Sequence, residues 1–354
     1  MTTTIPKMVA VAFDSAVSMS KFRGCMLGAL LGDCLGSPYE NEESVSKVVL
    51  QKYFDKMEGP PFKAPVKKYT DDTAMTKSVA ESLIQHGAFD EKDMAKRFIT
   101  EYFKEPKRGY GPGVVKVFTK LKTNKLEDLW TPAKEQFEGQ GSAGNGAAMR
   151  IAPVALFCHD NEDLLIDTVT KSAKLTHTHP LGINGAILQA LAIKHSYNHD
   201  PKTPIDVDKF STYLLEKMTA LEDNNSMSDN EEECYKTQLE IVQKLLKVGE
   251  VCDDEVVQAL GNNALAIFSV PTAIYCFLRS LRPINKIDTD NPFRRCIQYS
   301  ISLGGDTDTI ASMAGAISGA YHGDELINSS LKSQCEADAY VQELADNLHH
   351  VKFG

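Results

Sequence analysis

Two four-residue runs carry the densest chemistry in the chain, Thr70-Asp71-Asp72-Thr73 and Asp306-Thr307-Asp308-Thr309. Each crowds two carboxylates and two hydroxyls together, directly before a helical pattern. Helix capping is one reading, because Asp and Thr accept hydrogen bonds from the first free N–H groups and negative charge suits a helix N-terminus. A cap needs only one acceptor, however. The surplus carboxylates repel one another and raise each other's pKa unless a cation screens them. An all-oxygen donor set selects a hard cation, Mg²⁺, Mn²⁺ or Ca²⁺, over zinc. Glu40 ends the run Gly32-Asp33-Cys34-Leu35-Gly36-Ser37-Pro38-Tyr39-Glu40 and is a candidate third arm, although a Glu at a loop start taken alone is ordinary surface. Glu40, Asp71, Asp72, Asp306 and Asp308 together carry five formal negative charges, close to what two divalent cations neutralise. Sequence spacing leaves open whether the two runs meet.

Glycine supplies the second kind of chemistry. Gly139-Gln140-Gly141-Ser142-Ala143-Gly144-Asn145-Gly146 places four glycines in eight residues, before Ala147-Ala148-Met149-Arg150. Read as a loop entering a helix, it offers successive N–H groups to a phosphate or pyrophosphate. A plain flexible turn is the equal alternative. The loop lacks both the G-K-[ST] ending of a Walker loop and the G-x-G-x-x-G spacing of a dinucleotide fingerprint. A second turn, Arg108-Gly109-Tyr110-Gly111-Pro112-Gly113, is either a place of substrate approach at Gly109 and Gly111 or a tight connection. His177, in Leu175-Thr176-His177-Thr178-His179-Pro180, is a structural histidine or a neighbour of an adenine or ribose. Phe137 is a core aromatic or a stacking surface for a base.

The elements that must hold these residues read as helices. Strand alternation is scarce, while Val79, Leu83 and Ile84, then Met94, Phe98 and Tyr102, then Ile187, Leu188 and Leu191 recur at helical spacing. The expected fold is all-α, a compact orthogonal multi-helix bundle with the metal site at its centre. Gly24 to Gly36 and Ala311 to Gly323 are rich in small residues, which lets helix backbones approach closely at the centre of such a bundle. Asn41 to Tyr69, with Gly59, Pro60, Pro61 and Pro65, reads as a mobile loop rather than one long helix. Glu222 to Glu233 is an acidic, solvated run.

The chain has 354 residues, more than the roughly 100–200 of a typical domain, yet no Pro/Ser-rich linker divides it. We expect a Ser/Thr-rich, disordered tail over 1–20 and one domain over 21–354. A formal net charge of −10 argues against sequence-specific nucleic-acid binding, so an anionic ligand needs a local cradle. The eight cysteines form no C-x-x-C pair and several lie in apolar runs, which reads as reduced core thiols of an intracellular protein. No stretch reaches the ~18 apolar residues of a membrane span.

At this point the motifs resemble a known family, the ADP-ribosylhydrolases, which include dinitrogenase-reductase-activating glycohydrolase. The resemblance runs from about Lys21 to the C-terminus. Gly32-Asp33-x-x-Gly36-x-x-x-Glu40, Thr70-Asp71-Asp72-Thr73, Gly141-Ser142-Ala143-Gly144-Asn145-Gly146 and Gly304-Gly305-Asp306-Thr307-Asp308-Thr309 carry it in that order. Leu175-Thr176-His177 and Ser269-Val270-Pro271-Thr272-Ala273-Ile274-Tyr275-Cys276-Phe277 resemble one branch of the family in particular. That resemblance implies an all-α fold and two Mg²⁺ ions, with Mn²⁺ as a possible substitute. The implied metal ligands are Glu40, Thr70, Asp71, Asp72, Asp306, Asp308 and Thr309. The implied substrate contacts are Gln140 to Gly146 and His177. Ala143 stands where the branch can carry an aromatic residue, which removes a stacking surface there.

The implied reaction removes ADP-ribose from serine of modified proteins such as histones after DNA damage, and hydrolyses poly(ADP-ribose) and O-acetyl-ADP-ribose. Cleavage of the C1″–O bond is glycoside-like. Asp306 or Asp71 is the candidate to orient or deprotonate the attacking water, and Glu40 the candidate acid for the leaving oxygen, with the loop after it as a lid. The expected protein is a monomer of the nucleus and cytoplasm, with the mitochondrial matrix open as a further compartment. Rival readings are an arginine ADP-ribosylhydrolase and a non-catalytic ADP-ribose-binding or crystallin-like protein. The presence of all five carboxylates argues against the last.

Overall fold

The computed structural model describes residues 14–60, 65–200, 202–225 and 234–354. Among these residues the regular elements are helical, in chain order α1 (Ser15–Gly36), α2 (Lys47–Glu58), α3 (Asp71–His86), α4 (Glu91–Lys104), α5 (Pro112–Thr123) and α6 (Thr131–Lys134). The middle of the chain forms α7 (Ala152–Phe157), α8 (Glu162–Lys174), α9 (Pro180–Tyr197), α10 (Val207–Asn225) and α11 (Tyr235–Lys247). The last third forms α12 (Asp253–Leu260), α13 (Ala266–Ser280), α14 (Pro292–Ser302), α15 (Thr307–His322), α16 (Ser329–Ser333) and α17 (Asp338–Phe353). The all-α expectation holds.

The architecture is organised by α1 and α15, which run antiparallel along their whole length. A Cβ on Gly24 would lie 2.4 Å from Gly319 O, one on Gly28 2.1 Å from Gly315 O, and one on Gly32 2.1 Å from Ala311 O. Only hydrogen on these faces lets the backbones come so close. Both helices are buried over most of their length, because α13, α14 and α9 cover α15 while α17 covers α1. The small-residue stretches therefore sit at the centre, as their composition indicated.

Three boundaries differ from the sequence reading. Helix α1 begins at Ser15, inside the stretch expected to be a tail. Asp14 caps it by accepting from Ala16 N–H at 2.8 Å, and the Ser18 hydroxyl bonds the Tyr197 hydroxyl at 2.7 Å. Residues 1–13 lie outside the described residues. The segment Asn41–Tyr69 is not all loop, since Lys47–Glu58 form α2. Its prolines all fall after Glu58, and Leu50, Phe54 and Met57 give it a buried face. The acidic run enters α10 as far as Asn225, and residues 226–233 lie outside the described residues.

Candidate metal and substrate site

The close pairing of α1 with α15 decides where the acids go. At the C-terminal end of α1, a Cβ on Gly36 would lie 2.6 Å from Thr307 O, and the Thr307 hydroxyl donates to Gly36 O at 2.9 Å. The chain leaving α1 therefore passes directly over the first turn of α15. Asn41 N–H donates to Gly305 O and Gly305 N–H to Glu42 O, both at 2.8 Å. This locks the segment after Glu40 to the Gly304-Gly305 turn, where both glycines hold φ of +71°. Asp306 N–H is tied to Asn262 O at 2.8 Å. As a result Glu40, Asp306 and Asp308 each bring a carboxylate oxygen within 4.8 Å of the others.

Helix α3 is brought to the same place by a residue the sequence reading quoted without giving it a role. Asp33, fully buried on α1, accepts from Thr70 N–H at 3.0 Å, Thr73 N–H at 3.0 Å and the Thr73 hydroxyl at 2.6 Å. A carboxylate from α1 thus caps α3, in addition to Thr70, whose hydroxyl accepts from Asp72 N–H at 3.3 Å. The capping reading of the first acidic run is correct for Thr70, while Asp71 and Asp72 are left for other work. The Thr309 hydroxyl donates to Asp72 Oδ2 at 3.2 Å, joining the two runs directly. Asp71 N–H donates to Arg108 O at 2.7 Å, and Gly109, at φ +92°, lies so close that a Cβ there would sit 3.3 Å from Asp71 Oδ1. Gly111 is exposed at the start of α5, with open space around it.

The electrostatics reflect six crowded acids, the buried Asp33 included. Burial, then the charges of Asp33 and Asp308, push Asp72 well above the usual carboxylate range. Burial, then Asp33, raises Asp71 to about 8, and Asp308 is raised by burial and by Asp306. Glu40, at the exposed rim, is raised by partial burial and by Asp306. The Oδ1 atom of Asp72 is buried without a hydrogen-bond partner. An unpaired buried carboxylate oxygen, three further carboxylates within reach of one another and an all-oxygen donor set fit a hard divalent cation. Glu40, Asp306 and Asp308 are in position to share it, and Asp72 is joined to the second acidic run through the Thr309 hydroxyl. Asp71 stands beside them, half-buried against Gly109.

The glycine loop lies against this cluster. The Asn145 amide donates to Asp306 Oδ2 at 2.6 Å and to Ser269 Oγ at 3.1 Å. Asn145 N–H bonds Ala264 O, and Ala266 N–H bonds Ala143 O, which strap the loop to the start of α13. Gly141 holds φ +78°, and a Cβ there would meet the Thr178 hydroxyl at 2.1 Å. Ser142 Oγ accepts from Gly144 N–H at 3.2 Å. The loop does not run into a helix at Ala147 as expected. Asn145–Ala147 is one 3₁₀ turn, and α7 starts only at Ala152, ahead of Pro153. Any anion cradle here is made by loop backbone alone.

His177 is buried beneath the loop, where a Cβ on Gly146 would lie 2.9 Å from its Cε1. It shares a hydrogen bond with the Thr176 hydroxyl at 2.7 Å, and burial, then the charge of Arg150, lowers it to about 3. A neutral ring under the backbone makes it a support for the loop. Phe137 is 62 % exposed with φ +50°, so the core reading of this residue is wrong and a free aromatic face stands at the loop entrance. Gln140 is exposed and Ala143 half-exposed. Asp33, Asn262 and Ser269 escaped the sequence reading as site residues. Asp33 and Ser269 lie inside quoted motifs, whereas Asn262, acting through its backbone carbonyl, left no signal.

Fold and site define the class of protein. Residues 14–353 match the family model described as ADP-ribosylglycohydrolase, and the chain belongs to this family. It is 46 % identical over 350 residues to ADP-ribosylhydrolase ARH3 of Mus musculus, covering 96 % of this chain and 93 % of that one. The protein of the same name from Homo sapiens is 45 % identical over 349 residues, covering 95 % of each chain. A solved structure, "ADP-ribosylglycohydrolase-related protein complex", shares the fold at a TM-score of 0.67 and 20 % identity, covering 96 % of this chain and all of that one.

Proposed function

We propose that this chain is a Mg²⁺-dependent hydrolase that releases ADP-ribose from serine of modified proteins such as histones. On this reading it also hydrolyses poly(ADP-ribose) and O-acetyl-ADP-ribose, and reverses ADP-ribosylation after DNA damage. The single observation that carries the reading is the 2.6 Å bond from the Asn145 amide to Asp306, which joins the glycine loop to the acid cluster. A pyrophosphate lying on the loop puts its distal ribose at the acids and its adenosine toward Phe137. The relatives named for ADP-ribose hydrolysis support the substrate class.

The acid cluster is suited to two Mg²⁺ ions, which when bound supply charge screening and Lewis acidity at the ribose hydroxyls. Asp306, oriented by Asn145 and by its N–H bond to Asn262, accepts a proton from the attacking water. Asp71, held by Arg108 O and bordered by Gly109, takes part in orienting that water and the distal ribose. Water adds at C1″ as the C1″–O bond breaks with oxocarbenium character, and the serine oxygen leaves with a proton. Glu40, which stands at the exposed rim, is the acid for that oxygen when it is free of the metal. The protein acts as a monomer in nucleus and cytoplasm, with the mitochondrial matrix as a further compartment.

A mass-spectrometric assay with a seryl-ADP-ribosylated peptide tests the reading, run with Mg²⁺ and with a chelator beside an arginyl-ADP-ribosylated peptide. Release from the seryl peptide only, and only with Mg²⁺, is the expected result. Release from the arginyl peptide instead would replace the substrate, and binding of ADP-ribose without any product would remove the catalytic reading.

A further inference from the structure

The glycine loop has two ends with different surroundings. Its Asn145 end meets the acids through Asp306. Its Gly139 end opens on a cavity of about 590 Å³ lined by Trp130, Lys134, Gly139, Gln140, Lys171, Lys174 and Thr178. Thr178 packs against Gly141, so cavity and loop are continuous. In a chain of net charge −10, three lysines converge on this one hollow. Lys171 pairs with Asp167 at 2.7 Å across one turn of α8, with both side chains about half exposed, and such a pair contributes little and yields to a competing anion. Among the described residues, Lys134 and Lys174 have no carboxylate within ion-pairing distance. Lys120 takes the nearby Glu135 at 2.7 Å. The indole of Trp130 is 41 % exposed at the cavity wall, an unusual place for a large apolar ring unless something covers it.

Concentrated positive charge beside an exposed aromatic is the chemistry that recognises a polyanion carrying bases, through phosphate pairing and stacking. We propose that this cavity is a second subsite that takes the phosphates and base of the neighbouring ADP-ribose unit of a polymer, beyond the unit lying on the glycine loop. The proposal rests on the orientation argued above, with the distal ribose at the acids and the adenosine at the Gly139 end. A chain continuing from that adenosine leaves the loop at the basic cavity. The protein therefore holds internal units of poly(ADP-ribose), whereas a single ADP-ribose on a peptide leaves the cavity empty.

The test measures equilibrium binding of the full-length wild-type chain and of a Lys134→Glu/Lys174→Glu variant to fluorescent poly(ADP-ribose) and to monomeric ADP-ribose, over a salt series in chelator, so that the polymer is not turned over. Both lysines are exposed, so folding is unaffected, and an unchanged melting temperature verifies this. Polymer affinity is expected to fall about tenfold or more, and the slope of log K against log salt to shrink by about 2, while monomer affinity is retained. Trp130→Ala is expected to weaken polymer binding with little change in the salt slope. Unchanged polymer affinity in the charge-reversed variant, or an equal loss for the monomer, would overturn the subsite. Release of ADP-ribose from the seryl peptide is scored separately. A wild-type protein that binds polymer through these lysines yet releases nothing would overturn the proposed reaction and leave the subsite standing.

Discussion

The buried carboxylate of Asp33 on α1 accepts the Thr73 hydroxyl at 2.6 Å and so holds the first turn of α3, the turn that carries Asp71 and Asp72, against the central helix. Two further bonds to the same carboxylate, from Thr70 and Thr73 N–H, make Asp33 the anchor of the whole turn. Asn at position 33 keeps one carbonyl oxygen but turns the other acceptor into a donor facing N–H groups. We predict that Asp33→Asn costs about 1–3 kcal/mol of stability, the range for an unsatisfied buried group. Mg²⁺ affinity is expected to weaken as α3 loosens, although Asp33 itself is not placed as a ligand. Calorimetric titration of Mg²⁺ alongside a thermal melt checks both effects; tight, unchanged Mg²⁺ binding would remove Asp33 from the positioning of the site.

The crossing of α1 and α15 leaves no space for a methyl group. Gly28→Ala sets a Cβ where Gly315 O now lies 2.1 Å away, and backbone cannot swing aside as a side chain does. Overpacking of this kind costs about 1–3 kcal/mol. Because the same crossing places Glu40 over Asp306 and Asp308, turnover is expected to fall with stability. A variant that melts like the wild type would refute the close approach.

Acid crowding gives a pH dependence of defined sign in the metal-free protein. Asp71 is raised to about 8 when folded, against about 3.9 in an unfolded chain. Its stabilising contribution is thus complete below about pH 4 and is lost as pH rises through about 8. In chelator, the melting temperature should fall from pH 5 to pH 8, and Mg²⁺ should restore more at pH 8 than at pH 5. Asp72→Asn, which removes one of the crowded acids, is expected to raise the chelated melting temperature at pH 8 while abolishing turnover. An Mg²⁺ effect equal at both pH values would count against a metal at these acids.

Buried histidines act in the opposite direction. Burial holds His177 at about 3, and His159, His195 and His322 at about 4. Each contributes stability that is complete above the unfolded value of about 6.5 and is lost as pH falls toward the folded value. His177→Gln is expected to flatten the acid limb of the stability profile between about pH 6 and 4, checked by urea unfolding across that range. Because His177 props Gly146, the variant should also raise KM more than it lowers kcat.

Asn145 offers the most direct test of the link between loop and acids. Asn145→Ala removes both the 2.6 Å bond to Asp306 and the 3.1 Å bond to Ser269. Activity on the seryl peptide should fall about 10²-fold, the scale of losing one positioning contact at a reacting centre. Single-turnover kinetics with Mg²⁺ present reads the loss; an unchanged rate constant would separate the loop from the reaction.

Residue type and spacing alone determined that two acidic runs begin helices, that their charge suits hard cations, that the glycine-rich stretches are special and that the chain is helical. These properties are local, set by side-chain chemistry and the 3.6-residue period. Tertiary structure decided the rest. That Asp72 meets Thr309, and Asn145 meets Asp306, depends on contacts across 237 and 161 residues of chain, which no local rule encodes. The same holds for Asp33, which reads as one acid on an apolar helix until α3 is seen resting on it. The 41–69 segment reads as loop because its prolines rule out one continuous helix, whereas the helix ends before them and gains its stability from burying Leu50, Phe54 and Met57. The acidic runs are a pattern in sequence; they become a site because glycine-lined backbones of α1 and α15 approach closely enough to bring the ends of three helices together.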